Sequence, residues 1–240
     1  MRVFIVINGK GGVGKTTIAV ALAAYLIDKY NSTQPLVCVD MDSINMSISQ
    51  YESIRTIKCD TQKHDCEKEN SLEIENLFIE ILDTDHFEDC TDLIIDVGVA
   101  SFTTISNYLM EYFDLNHGED ITIVCPIEAD YFQSGATSLL TKTAQKFKHL
   151  IIENEKAGRV GFSGSSLERL LLYDDKAYLG SVIYPSVDYH SRLGIDYFYM
   201  HQQGMIYQDV KESSLFGIQQ KDRIETFYNQ LFEQFRKIGL

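Results

Sequence analysis

Nine consecutive residues, Gly9-Lys10-Gly11-Gly12-Val13-Gly14-Lys15-Thr16-Thr17, carry the types and spacing of a phosphate-binding loop. The pattern G-x-x-x-x-G-K-[ST] puts its fixed positions on Gly9, Gly14, Lys15 and Thr16. Glycines let successive backbone N–H groups turn inward at phosphate oxygens. Lys15 is suited to the β- and γ-phosphates as a point charge, and the Thr16 hydroxyl to ligating Mg²⁺. All nine residues are candidate nucleotide contacts. Lys10 is a second cation that such a loop does not need. Two like charges in one glycine loop repel unless an anion sits between them.

Further polar residues stand at the ends of apolar runs. Leu36 to Asp40 reads as a strand that leaves through Asp40-Met41-Asp42. Carboxylates at the exit of a parallel strand face the ligand crevice; their other reading is turn formation, or a cap for a helix from about Ile44. Leu93 to Gly98 reads as a buried strand whose Asp96 emerges near the loop, suited to holding Mg²⁺ through water. Gly98 can offer its N–H to a γ-phosphate with no side chain in the way. A loop that touches that phosphate is a natural switch, because hydrolysis removes its partner. Asn154 ends the run His149 to Asn154; one amide can donate and accept toward an adenine edge, or form a turn. Cys59, His64 and Cys66 lack a clear fourth ligand and fit no standard zinc spacing, so they are expected on a surface loop.

These residues need a sheet to position them. Arg2 to Asn8 is apolar, β-branched and bounded by glycine, as a buried parallel strand is. Ile18, Leu22 and Leu26 recur at helical spacing, giving strand–loop–helix order with the helix from about Gly14. Its positive dipole end would add to the anion site. Further strands are expected at Thr56 to Lys58, on an edge, Asp120 to Pro126, closed by the proline, and Tyr178 to Pro185. Helices are expected across Leu72 to Leu82, Gln133 to Lys148, Ser191 to Met200, Ile206 to Glu212 and Asp222 to Ile238. The last has Phe227, Leu231, Phe235 and Ile238 on one face. Its other face has few lysines, which favours packing on the core over a membrane.

The expected fold is therefore α/β, a mostly parallel twisted sheet flanked by helices. One domain is expected over residues 1–240, with 51–90 as a variable segment within it. A formal net charge of −14 argues against nucleic-acid binding through the overall field. Met1-Arg2 leads straight into the first strand, and no apolar run is long enough to span a bilayer, so a cytoplasmic protein is expected. Five cysteines fit reduced thiols there, with Cys38 and Cys125 as small core residues.

The loop Lys-Gly-Gly-Val-Gly-Lys-Thr-Thr resembles the deviant Walker A box of the ParA/MinD family of P-loop NTPases, a SIMIBI-like group. More narrowly, Asp40-x-Asp42-x-x-Asn45-x-Ser47 and Ile94 to Phe102 resemble TraL-type conjugal-transfer and mobilisation ATPases. Ser43 departs from the proline usual there. The resemblance implies ATP and Mg²⁺ as cofactors, and a catalytic set of Lys10, Lys15 and Asp42. Lys10 would cross an ATP-dependent homodimer to the partner's nucleotide. Asp40 and Asp96 would hold Mg²⁺ through water, Thr16 would bind it directly, and Asp42 would orient the attacking water. Gly98 and Asn154 would complete the nucleotide contacts.

The function implied is a slow ATPase switch whose output is a protein partner in DNA processing, transfer or secretion. A ParA-type partition ATPase is the alternative; it needs a basic patch, to which Lys142, Lys146, Lys148 and Arg159 can contribute, and direct DNA binding stays open. An ATP-dependent ligase on the same fold is a third reading. An iron–sulfur reductase is disfavoured, since no cysteine follows Gly98 closely.

Overall fold

The computed structural model describes residues 1–33, 35–42, 48–59, 67–82, 89–111, 120–128, 134–143, 146–160 and 178–240. The elements in chain order are β1 (Arg2–Val6), α1 (Lys15–Tyr30), β2 (Leu36–Met41), β3 (Thr56–Lys58), α2 (Glu67–Leu82) and β4 (Asp92–Val97). They continue with α3 (Phe102–Glu111), β5 (Asp120–Ile127), α4 (Ser134–Thr143), β6 (Lys148–Asn154), β7 (Tyr178–Tyr184), α5 (Arg192–Gln202), α6 (Tyr207–Glu212) and α7 (Ile218–Lys237).

The seven strands form one parallel sheet in the order β3-β2-β4-β1-β5-β6-β7. Strand β1 lies between β4 and β5, so the chain reverses its direction of travel across the sheet there. A crevice opens at the carboxyl ends of strands around such a point. All the polar strand ends picked out in the sequence fall on that edge.

Apolar side chains divide by strand alternation into two cores. Phe4 and Val6 of β1 join Ile94, Val124, Leu150 and Val182 beneath α1 and the C-terminal helices α5 to α7. Val3, Ile5 and Ile7 join Val39, Ile95, Ile123 and Ile151 beneath α2, α3 and α4. Helix α1 is buried along most of its length, which its run of alanines permits by letting helix and sheet approach closely. Helix α7 lays Phe227, Leu231 and Phe235 on the first core, as its periodicity predicts. Tyr25 of α1 meets Phe232 and Phe235 at ring centroid distances of 5.5 and 5.1 Å. Each such ring withdrawn from water is worth about 1.5–3 kcal/mol.

Several expectations need correction. Pro126 does not close β5: the strand runs to Ile127, with Pro126 aligned on Ile152 of β6. Strand β1 has ended by then, so the missing N–H faces no ladder on that side. The Pro126 carbonyl accepts from Asn8 Nδ2 at 2.7 Å instead. Cys59 is not on a surface loop but buried in the second core; His64 and Cys66, like the helix expected from Ile44, lie outside the described residues. Helix α4 ends at Thr143, short of the expected Lys148, and β6 begins at that lysine. Helix α3 was not expected at all, although Phe102, Ile105 and Leu109 carry helical spacing. Strand β3 falls where expected. Among the described residues no helix is long and apolar enough to cross a membrane.

Candidate nucleotide site

The loop after β1 leads into α1 through Gly14, the residue before its first turn, at φ 91°. A side chain there is strained by the backbone alone, and a Cβ would also stand 2.6 Å from Asn154 Nδ2. Gly12 has φ 74° with open space around it, so the requirement there is purely conformational. Gly9 packs flat on the Phe102 ring, where a Cβ would approach to 2.9 Å. Asn8 fixes the start of the loop: its Oδ1 accepts the Lys10 N–H at 2.8 Å.

Lys15 is buried and its ammonium donates to the Lys10 carbonyl at 3.1 Å. Burial pulls its pKa down; Asp96 and Asp42 oppose that by holding the cation. Thr16 Oγ1 donates to Asp96 Oδ2 at 2.7 Å. Asp96 is buried, and its carboxyl is pushed up to about 7, chiefly by desolvation, then by the charges of Asp40 and Asp42. The Thr16 hydrogen bond and Lys15 act against that rise. A divalent cation beside Thr16 and Asp96 would relieve the same penalty, so these residues fit Mg²⁺. Among the described residues no group of three His, Cys, Asp or Glu converges as a ready-made cage; a site shared with phosphates and water fits this donor set better.

Asp40, next to last in β2, is buried, its Oδ1 accepting from the Asp42 N–H at 3.1 Å and its Oδ2 from Ser49 N and Oγ at 3.2 and 2.8 Å. It thus shapes the turn that presents Asp42 to the crevice, combining both sequence readings. Gly98 is needed for a reason the sequence did not supply. A Cβ there would lie 2.8 Å from Asp42 Cα and 3.0 Å from the Met41 carbonyl. The absence of a side chain lets the ends of β2 and β4 touch.

Asn154 comes to the loop as expected, with both ends of its amide engaged. Nδ2 donates to the Val13 carbonyl at 3.0 Å, and Oδ1 accepts from Lys156 N at 3.1 Å. One N–H and one lone pair remain for a base edge. Beside it opens a cavity of about 560 Å³ lined by Gly11, Gly12, Gly14, Lys15, Thr16, Thr17, Asp42 and Asn154. Lys10 points elsewhere: its ammonium pairs with Glu128 Oε2 at 2.7 Å.

Sequence reasoning missed half of the cavity wall. Lys156, Tyr184, Val187, Tyr189 and Phe198 line it beyond the loop. Tyr189 and Phe198 meet at 5.0 Å between ring centroids, with the rings tilted 49° to one another. Only Pro185, expected as a strand stop, flagged that region. Glu128 was missed too, for it belongs to no motif. The cysteines Cys38, Cys59, Cys90 and Cys125 are buried and unbridged; burial raises the Cys125 thiol to about 12, which makes it inert.

Two Escherichia coli proteins, each named Protein TraL, are 25% identical to this chain. One alignment covers 97% of this chain and 96% of that protein, the other 100% and 99%. A ParA family ATPase from Chlorobium tepidum TLS is similar in structure at 14% identity, covering 95% of this chain and 97% of that one, with a TM-score of 0.48. Residues 4–239 match the family described as the CobQ/CobB/MinD/ParA nucleotide binding domain, and the chain belongs to that family.

Proposed function

We propose that this protein is a Mg-ATP-dependent switch: a dimerising, slowly hydrolysing ATPase that serves plasmid conjugal transfer, mobilisation or a related DNA-processing or secretion assembly. The observation that carries the nucleotide part is the meeting of Lys15, Thr16 and Asp42 at one cavity under the loop, with Asp96 buried behind Thr16 and accepting from its hydroxyl. Lys15 and the loop N–H groups bind the phosphates. Thr16 would hold Mg²⁺ directly, and Asp96 and Asp40 would hold it through water. The ion, when bound, neutralises charge on the phosphates. Asp42 orients the attacking water, and Gly98 offers its N–H to the γ-phosphate. Lys10, redundant within its own loop, serves the partner subunit's nucleotide. Catalysis of this kind is positioning plus electrostatics.

The transfer role rests on similarity to the two TraL proteins along the full chain. The partition reading has less support: Lys148 is paired with Asp120 at 2.7 Å, and Lys146 donates to the Met110 carbonyl at 2.8 Å. Two of its four cations are thus engaged. The deciding experiment is the mass in solution with ATP, ADP and no nucleotide, for the parent and Lys10→Ala. An ATP-only dimer weakened by the substitution supports the switch. A mass indifferent to nucleotide overturns it, and substrate-dependent ATP turnover with a small acid would then favour a ligase.

A further inference from the structure

Lys10 and Glu128 join the segments that follow two neighbouring strands, β1 and β5, which no motif connects. Glu128 follows β5 and is only 8% exposed, so its carboxylate is largely withdrawn from water. The Lys10 ammonium donates to it at 2.7 Å. Asn8 ties the same two places together through the backbone, donating to the Pro126 carbonyl and accepting from the Lys10 N–H. The first turn of the loop is therefore fastened to the end of β5 twice, once by an amide and once by an ion pair.

We infer that Glu128 is the positioning residue of Lys10, holding its ammonium within its own subunit until a phosphate of the partner's nucleotide draws it away. The inference rests on the switch reading above. A buried carboxylate deprived of its cation is costly. Transfer of Lys10 to another subunit's nucleotide therefore leaves Glu128 exposed to that cost. Glu128 thereby opposes the ATP-bound dimer and sets the protein concentration at which it forms. Asn8 keeps the loop backbone in place while the side chain moves.

The test is dimerisation by analytical ultracentrifugation with a non-hydrolysable ATP analogue and Mg²⁺, for the parent, Glu128→Gln and Glu128→Asp. Glu128→Gln keeps the shape and removes the charge, and is expected to dimerise at about tenfold lower protein concentration. Glu128→Asp withdraws the charge by one methylene and should fall between, which keeps the test open if the glutamine variant folds poorly. Binding of a fluorescent ATP analogue to the dilute monomer should be the same in all three. If the pair were merely a staple, both variants would bind nucleotide more weakly and dimerise no better, and the inference would be overturned. A parent that dimerises beside two indifferent variants overturns this inference alone. A parent that stays monomeric overturns the switch reading with it.

Discussion

Asp40 and Asp96 stand opposite one another, in register, on the adjacent parallel strands β2 and β4, and both are buried. The charge of Asp40 adds to the desolvation that raises the Asp96 carboxyl. The protein meets this in part with hydrogen bonds, Ser49 to Asp40 and Thr16 to Asp96.

A pH dependence follows from Asp96. Its carboxyl rises from an ordinary 3.8 to about 7 on folding, so between those values the folded chain binds the extra proton. Its contribution to stability is therefore complete at low pH and is lost as pH climbs through that window. Nucleotide-free Asp96→Asn should melt above the parent near pH 8, about where the parent's loss is complete, and converge with it near pH 4. Calorimetry across pH checks this. Mg-nucleotide affinity of the parent should rise between about pH 6 and 8 as Asp96 ionises, and the variant should lack that rise.

Lys15→Ala should abolish nucleotide binding in practice, weakening it roughly a hundredfold, because a charge-assisted contact to two phosphates is lost. Titration calorimetry with Mg-ATP measures it. The melting temperature without nucleotide should not fall, since the lysine is held there by a single carbonyl and its burial disfavours its charge.

Asp42→Ala should separate binding from turnover. The Asp40 carboxylate still accepts the backbone N–H of residue 42, so the turn persists without the Asp42 side chain. Mg-ATP affinity should stay within a few-fold, while single-turnover hydrolysis drops by about a hundredfold or more. Equal turnover in parent and variant would remove Asp42 from the mechanism.

Gly98→Ala should destabilise the fold by about 2 kcal/mol, since the added methyl meets backbone atoms that cannot yield easily. Gly12→Ala has open space and only the backbone conformation against it, so about 1 kcal/mol is expected. Urea denaturation of the two variants gives the comparison.

Phe232→Ala should cost about 3–5 kcal/mol, as a fully buried ring is lost from between Tyr25, Tyr207 and Tyr228. Because this face of α7 is occupied by the core, flotation with anionic vesicles should leave the parent unbound.

Local pattern was enough for much of the site. A glycine loop between an apolar run and a helical period can fold in few ways, so Gly9 to Thr17 and the entry to α1 were legible directly. Asp40 and Asp96 were legible because a strand buried on both faces reads as an apolar run, and the carboxylate after that run marks where it nears its exit; Asn154 was legible as the amide that ends its strand. Strand β3 was read from three residues of alternating type. Helix α3 was not read, although its spacing was present, because the residues before it were weighed as a switch loop.

Tertiary structure alone decided the rest. Proline at position 126 stops a strand locally, yet here it sits inside one because β1 has ended beside it. Cys59 lies in a polar stretch, yet the second core encloses it. The Lys10–Glu128 pair joins residues 118 positions apart, and the far wall of the cavity comes from Lys156 after β6, from β7 and α5 and from the segment between those two. Sequence specified which residues leave each strand, because periodicity is a property of neighbours. Which of those residues face each other depends on strand order, and strand order is fixed only when both faces of the sheet are covered.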